Sequence, residues 1–396
     1  MKPVHSDIRG PLFVEAMKRQ KQGIDILKLN TGNPATFGFG LPDSIKNALM
    51  EHMQDGVGYC DFKGMPQARQ AICDYETSKG IKGITPDDVF IGNGVSEVVS
   101  FALTPLLNDG DEVLVPSPSY SLWGNSVYLE DGKPVFYTCD EQANWYPDIQ
   151  DIRSKITDKT KAIVIINPNN PTGVLYPKEL LLEIIQIARE SGLLIFADEI
   201  YDRLVMDGKQ HISLASLTED VPVITLNGLS KSHCLCGYRC GWMVISGPRE
   251  LTEDYRQGII QLTSLRLCAN TMAQIVIPAA LDDMETPASM VRPGGRIYEQ
   301  REATVRELEK IDGLSFVKND AAFYVFPKLD VKKFNITNDK QFAHDLLDVT
   351  NILLVPGSGF DWKDPDHFRI VMLPQADILS DAIRRMGTFL DGYKQK

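Results

Sequence analysis

The middle of the chain alternates short, wholly apolar runs with stretches whose apolar residues recur at helical spacing. Ala162–Ile166 and Leu193–Ala197 lack the polar alternation of a half-exposed strand. Such runs suit strands covered on both faces, as in a parallel sheet. Seven segments are predicted as strands: Asp88–Gly92, Glu112–Pro116, Pro134–Tyr137, Ala162–Ile166, Leu193–Ala197, Val221–Leu226 and Cys240–Ser246. Lys178–Ser191 reads as a helix, with Leu180, Leu181, Ile184, Ile185 and Ala188 on one face. Strands and helices in alternation predict an α/β domain on a mostly parallel, seven-stranded sheet.

The texture changes near Met290. Pro293-Gly294-Gly295 breaks the chain, and a charged helical pattern runs from Arg296 to Ile311. Phe316–Phe326, Leu353–Val355 and Phe368–Leu373 then read as strands, which predicts a smaller α+β domain. A single core rarely grows past roughly 250–300 residues, so a chain of 396 is expected to divide. The expected division is an N-terminal arm and part of the small domain over 1-45, a large domain over 46-290, and a small C-terminal domain over 291-396.

Composition narrows the partners. With 41 basic and 53 acidic side chains the net charge is −12, which disfavours nucleic acid or an anionic membrane surface. Seven cysteines in a chain this long do not resemble a disulfide scaffold, so reduced thiols are expected. The opening Met1–Asp7 is polar, and no apolar run approaches the roughly 20 residues of a membrane span. The expectation is a soluble, cytoplasmic protein.

Four segments carry candidate chemistry. Asn167-Pro168-Asn169-Asn170-Pro171-Thr172-Gly173 follows a predicted strand, at the end where open α/β sheets bind ligands. Its prolines and glycine can stiffen a loop that aims an asparagine amide, although a plain turn would use the same residues. Asp198 ends another strand in Ala197-Asp198-Glu199-Ile200-Tyr201. A carboxylate there either caps a helix or faces a cation. Asn227-Gly228-Leu229-Ser230-Lys231 comes next, with Gly237-Tyr238-Arg239 behind it. A lysine at an apolar strand end becomes a nucleophile when desolvation or a nearby cation strips its proton. Arg239 is the candidate for that cation and for a bidentate grip on phosphate. Finally, Arg369 stands inside the apolar Phe368–Leu373 pattern, where an arginine needs an anion: a substrate carboxylate or a structural partner.

The order and spacing of these segments resemble the fold type I, class I aminotransferases over essentially the whole chain. Within that family the likeness is to the bacterial glutamate–pyruvate (alanine) aminotransferases, on Asp7-Ile8-Arg9-Gly10-Pro11, Asn30-Thr31-Gly32-Asn33-Pro34, Gly58-Tyr59-Cys60-Asp61 and Arg292-Pro293-Gly294-Gly295-Arg296. The resemblance implies that Lys231 holds pyridoxal 5′-phosphate as a Schiff base and serves as acid and base in a 1,3-proton shift. Asp198 would keep the pyridine nitrogen protonated, Tyr201 and Asn170 would hydrogen-bond the phenolic oxygen, and Tyr120 would stack on the ring. Gly94, Val95 and Ser96, at a helix N-terminus, would cradle the phosphate with Ser230 and Arg239. Arg369 would clamp the α-carboxylate with Asn170 and the Gly32 backbone, and Arg9 would help bind glutamate's side-chain carboxylate. Tyr59 would reach the neighbouring subunit's phosphate, which implies a homodimer with active sites at its interface. The implied reaction is amino transfer between L-alanine and 2-oxoglutarate, giving pyruvate and L-glutamate. A related enzyme acting on aspartate, valine or methionine, or a C–S β-lyase on the same cofactor, stays open. Two residues depart from the pattern: Gly228 replaces a serine common three residues before the lysine, and Ser6 replaces a tyrosine.

Two rival readings are weaker. Gly92-Asn93-Gly94-Val95-Ser96-Glu97 follows a strand as a dinucleotide fingerprint does, but Glu97 stands where the third glycine belongs. His233, Cys234, Cys236 and Cys240 lack the second Cys-x-x-Cys of a zinc site, so no metal is expected.

Overall fold

The apolar runs assemble into one sheet in the computed structural model, which describes residues 4–396; Met1, Lys2 and Pro3 of the expected N-terminal arm lie outside the described residues. Its strands are β1 (Val89–Asn93), β2 (Glu112–Ser117), β3 (Lys133–Asp140), β4 (Tyr146–Pro147), β5 (Thr160–Ile166), β6 (Leu194–Asp198), β7 (Val223–Gly228) and β8 (Cys240–Ser246). The order across the sheet is β1-β8-β7-β6-β5-β2-β3-β4. The strands from β3 to β7 that cross the middle pair in parallel, while β8 runs against both neighbours and β4 against β3. The seven expected strands are all present. The eighth, β4, is two residues long, too short for any periodicity to announce it.

Both faces of the sheet are covered, which explains the unbroken apolar runs. Along β5, Ile163 and Ile165 enter one core with Leu181, Ile184 and Ile185 of the helix Lys178–Ser191. Ala162, Val164 and Ile166 enter a second core with Val98, Val99 and Ala102 of the helix Val95–Leu103. Register aligns the strand ends: Ile166 lies beside Asp198, and Asp198 beside Leu226. The loops after β5, β6 and β7 therefore leave from one edge.

A third core gathers Leu29, Leu308, Val325, Phe342, Ile352, Phe368, Ile370 and Ile383. Leu27–Lys28 pairs in parallel with Ile352–Leu353, which ties the start of the chain to its end. Phe368–Val371 lies between Tyr324–Val325 and Val355–Pro356, antiparallel to both. Phe316–Phe326 is not the continuous strand expected; only Tyr324–Val325 has that form. The Asp320 and Ala321 N–H groups donate to Gly173 O, Met206 N donates to Asp320 O, and Ala322 takes a positive φ of 59°. Residues 320–322 spend their backbone hydrogen bonds on the loops after β5 and β6, and only Tyr324–Val325 pairs with a strand. The helix from Arg296 ends at Leu308, three residues before the expected Ile311. Among the described residues, no helix is long and apolar enough to cross a membrane.

Candidate active site

Each loop at the common strand edge is stiffened by its own polar residues. After β5, Asn167 Oδ1 accepts from Tyr176 N (2.9 Å), and Asn169 Oδ1 accepts from Thr172 Oγ1 (3.0 Å). Asn170 is thereby presented to Arg369, whose Nη1 donates to Asn170 Oδ1 at 2.9 Å. After β1, Glu97 folds back on the turn: its carboxylate accepts from Asn93 N (2.7 Å), Asn93 Nδ2 (2.9 Å) and Arg266 Nη1 (2.6 Å). The residue that spoils the dinucleotide fingerprint is thus a brace for the Gly94 turn.

Asp198 ends β6 and is 5% exposed. No helix follows for it to cap. Its Oδ2 accepts from the Trp123 indole N–H at 3.0 Å, and its Oδ1 has only a long bond from Ile200 N at 3.4 Å. Burial, against the opposing pull of the Trp123 hydrogen bond, pushes its pKa up to about 6. Tyr201, three residues on, is buried and shares a 2.7 Å hydrogen bond with the Tyr324 hydroxyl.

Lys231 lies in the short helix Leu229–Ser232 after β7, and its Nζ donates to the Gly32 carbonyl at 3.0 Å. The expectation of a lysine stripped by burial needs correction. Burial does pull its pKa down, but the surrounding Tyr324, Cys236 and Tyr120 groups outweigh that and hold it above the usual lysine value. The cation beside it is Arg369, not Arg239. Arg369 is buried between the rings of Tyr324 and Phe360, 4.6 Å from each centroid. It donates to Asn170 and to the Asn30 carbonyl, and its Nε is buried without a partner. Among the described residues no carboxylate pairs with it, and burial lowers its pKa.

Gly94 caps the helix Val95–Leu103 with φ 84°, and the exposed Arg239 lies over it. A Cβ on Gly94 would sit 2.3 Å from Arg239 Nη2. A free helix N-terminus, a bare backbone and a guanidinium together form an anion cradle. Ser96 follows in the first turn of that helix, and Ser230 stands beside Lys231. The Gly228 departure also has a local cause. Gly228 faces Gly241 across the β7–β8 pair, and a Cβ on it would lie 2.5 Å from Cys240 O, so a serine would collide with the neighbouring strand.

Asp198, Tyr201, Asn170, Tyr120, Lys231, Arg369 and Gly32 thus come together, linked by direct contacts or by the charges they feel. Tyr59 is 84% exposed, and Arg9 is exposed with no hydrogen bond or ion pair among the described residues. Sequence reasoning missed Trp123 and Tyr324. Their hydrogen-bond partners lie 75 and 123 residues away in the chain, a separation that no local pattern spans. The His233–Cys240 group does not converge: His233 bonds Ser232 and Asp283, Cys234 meets Met290, and Cys236 donates to Ser230 O.

Comparison with known proteins agrees on one family. The pattern described as "aminotransferase class I and II" matches residues 24–383. The glutamate-pyruvate aminotransferase AlaA of Haemophilus influenzae is 51% identical over 389 residues, covering 98% of this chain and 96% of the relative. The alanine aminotransferase of Mycobacterium tuberculosis is 46% identical over 98% of this chain and 91% of its own. A crystal structure of an Escherichia coli aminotransferase superposes with a TM-score of 0.98 at 48% identity, covering 99% of this chain and 97% of that one.

Proposed function

This chain belongs to the class I and II aminotransferases, and from that membership we propose that it moves the amino group of L-alanine to 2-oxoglutarate, giving pyruvate and L-glutamate, with pyridoxal 5′-phosphate held at Lys231. The observation that carries the reading is Arg369: a buried guanidinium with an unpartnered Nε and no carboxylate, close enough for Lys231 to feel its charge. An α-carboxylate supplies the missing anion. Substrates of the relatives named as alanine and glutamate–pyruvate aminotransferases support the choice of amino acid.

The residues fit the cofactor. Its phosphate suits the cradle of Gly94, Val95 and Ser96 with Ser230 and Arg239, which a single Cβ on Gly94 would fill. Its ring nitrogen suits Asp198, a buried carboxylate with one strong donor. When bound, pyridoxal 5′-phosphate supplies an aldehyde that condenses with amines and a protonated ring that draws electrons from the substrate's Cα. Lys231 Nζ then takes and returns the Cα proton, for which it must first give up the proton it holds in the free protein. Tyr201, fixed by Tyr324, and Asn170 donate to the ring oxygen, and Tyr120 covers the ring face. Arg369, Asn170 and the Gly32 backbone orient the substrate, and Arg9 meets the distal carboxylate of glutamate.

The assembly proposed is a homodimer. Exposed Met53, Val57, Tyr59, Leu265 and Leu267 lie on segments joined by Thr271 Oγ1 to Gly56 O (2.7 Å) and Arg266 Nη2 to Phe62 O (3.1 Å). Tyr59 would reach the partner's phosphate from there. The arm 1-45, cofactor-binding part 46-290 and smaller part 291-396 belong to the same proposal, as does a cytoplasmic site of action. The test is product balance: pyruvate and L-glutamate should form one for one from L-alanine and 2-oxoglutarate. A protein that ignores L-alanine but releases an oxo acid from a Cβ-substituted amino acid without any acceptor would be a lyase instead.

A further inference from the structure

Behind the segment Asp198–Asp202 lies a second cluster of charge that the reaction does not use. Lys79, at the end of the helix Pro66–Ser78, places Nζ 2.6 Å from Glu76, 2.8 Å from Glu199 and 3.2 Å from Asp202. All three carboxylates are buried. Glu199 also accepts from Ser213 Oγ and Leu214 N, and Asp202 from Tyr75 Oη (2.6 Å) and Asn227 Nδ2 (2.7 Å). Glu76 accepts from the Trp242 indole, and Arg203 lies over the Tyr75 ring. Glu199, Asp202 and His211 bring their ligand atoms within 4.8 Å of one another, as a metal site would. The cation they surround is the Lys79 ammonium.

We propose that Lys79 is a positioning residue for the cofactor-facing side chains Asp198 and Tyr201, acting through Glu199 and Asp202 on the far side of the same segment. The alternation is the reason. Residues 198 and 201 point one way and 199 and 202 the other, so pinning the second pair aims the first. Asn227 extends the tie to the β7 end that leads into Lys231. Lys79 also acts by charge. The groups facing Asp198 are the Trp123 N–H from the helix Leu122–Leu129, the Ile200 N–H, Glu199 and Tyr201 of its own segment, and Lys231 beyond β7. Burial is the main reason the Asp198 anion is disfavoured; among these groups Glu199 adds to it, and Lys79, 2.8 Å from Glu199, would offset that part.

The inference rests on the cofactor reading, so the experiment starts with pyridoxal 5′-phosphate binding to the cofactor-free wild-type protein between pH 5 and 9. No binding there overturns that reading and this one together. Given binding, its acid limb follows Asp198, because the anion is the form that holds a protonated ring nitrogen. Lys79→Met should weaken binding about tenfold or more and move the limb up by about half a pH unit. Lys79→Arg should rescue both. Glu199→Gln, which keeps Lys79, should move the limb down. Limbs that stay at the wild-type position in both charge variants, with or without a loss of thermal stability, overturn the proposal. If Lys79→Met does not accumulate as a folded protein, Glu199→Gln decides alone.

Discussion

On one side of the segment Asp198–Asp202, the carboxylates of Glu199 and Asp202 meet Lys79, Tyr75, Asn227 and Ser213. On the other, Asp198 has the Trp123 N–H and little else, and Arg369 has amide and carbonyl oxygens but no carboxylate. The two sides are equally dry, yet Asp198 and Asp202 behave in opposite ways. Burial raises both Asp198 and Asp202, but Lys79 and its neighbours pull Asp202 back below the ordinary carboxylate value, whereas Asp198 stays up at about 6. A buried charge that serves the fold is fully paired. One that serves a ligand is left for the ligand to complete.

Four substitutions test that contrast, beginning with the largest expected effect. Lys231→Ala removes the proposed covalent anchor and proton carrier, so turnover of L-alanine should fall on the order of 10⁵-fold or more. Cofactor should still bind, but without a bond that borohydride can trap. Arg369→Ala should lower kcat/KM for L-alanine by about 3 kcal/mol, or roughly 150-fold, measured at sub-saturating substrate. An unchanged kcat/KM would take Arg369 out of the site.

Asp198→Asn probes the incompletely paired side through stability. The folded pKa of about 6 lies above the roughly 3.9 of an unfolded chain. Proton binding therefore favours the fold: the contribution is full below about pH 4 and lost as pH rises through about 6. At pH 7.5 the ionised carboxylate costs the cofactor-free protein on the order of 3 kcal/mol. Asparagine, which can still accept from Trp123, should raise the melting temperature there and converge with wild type at pH 4, while cofactor affinity drops. The smallest effect is expected from Gly94→Ala. A side chain at φ 84° is strained by roughly 1–2 kcal/mol and meets Arg239. Affinity for pyridoxal 5′-phosphate, measured by equilibrium titration, should weaken about tenfold.

The sequence disclosed the parts of the molecule that obey a period or a motif. The seven long strands were legible because both faces are covered, and the helix Lys178–Ser191 because its apolar stripe is complete. Asp198, Tyr201 and Lys231 were legible because each sits at or just past the end of such a strand. Phe316–Phe326 was misread because the chain turns at residues 320–322, whose backbone hydrogen bonds go to Gly173 and Leu204, so its apolar residues enter separate cores. Trp123, Tyr324 and Lys79 were illegible for a different reason. Asp198, Tyr201 and Glu199 are brought to them only by tertiary packing, from the helices that carry Trp123 and Lys79 and the C-terminal strand that carries Tyr324.

The most direct test of the central claim is the visible absorption spectrum of the protein loaded with pyridoxal 5′-phosphate, recorded before and after L-alanine is added with no acceptor. The expected result is a yellow protein whose colour is lost as one equivalent of pyruvate appears per site, and returns when 2-oxoglutarate is added. A protein that takes up no cofactor, or one that stays yellow in L-alanine and releases no pyruvate, would contradict it.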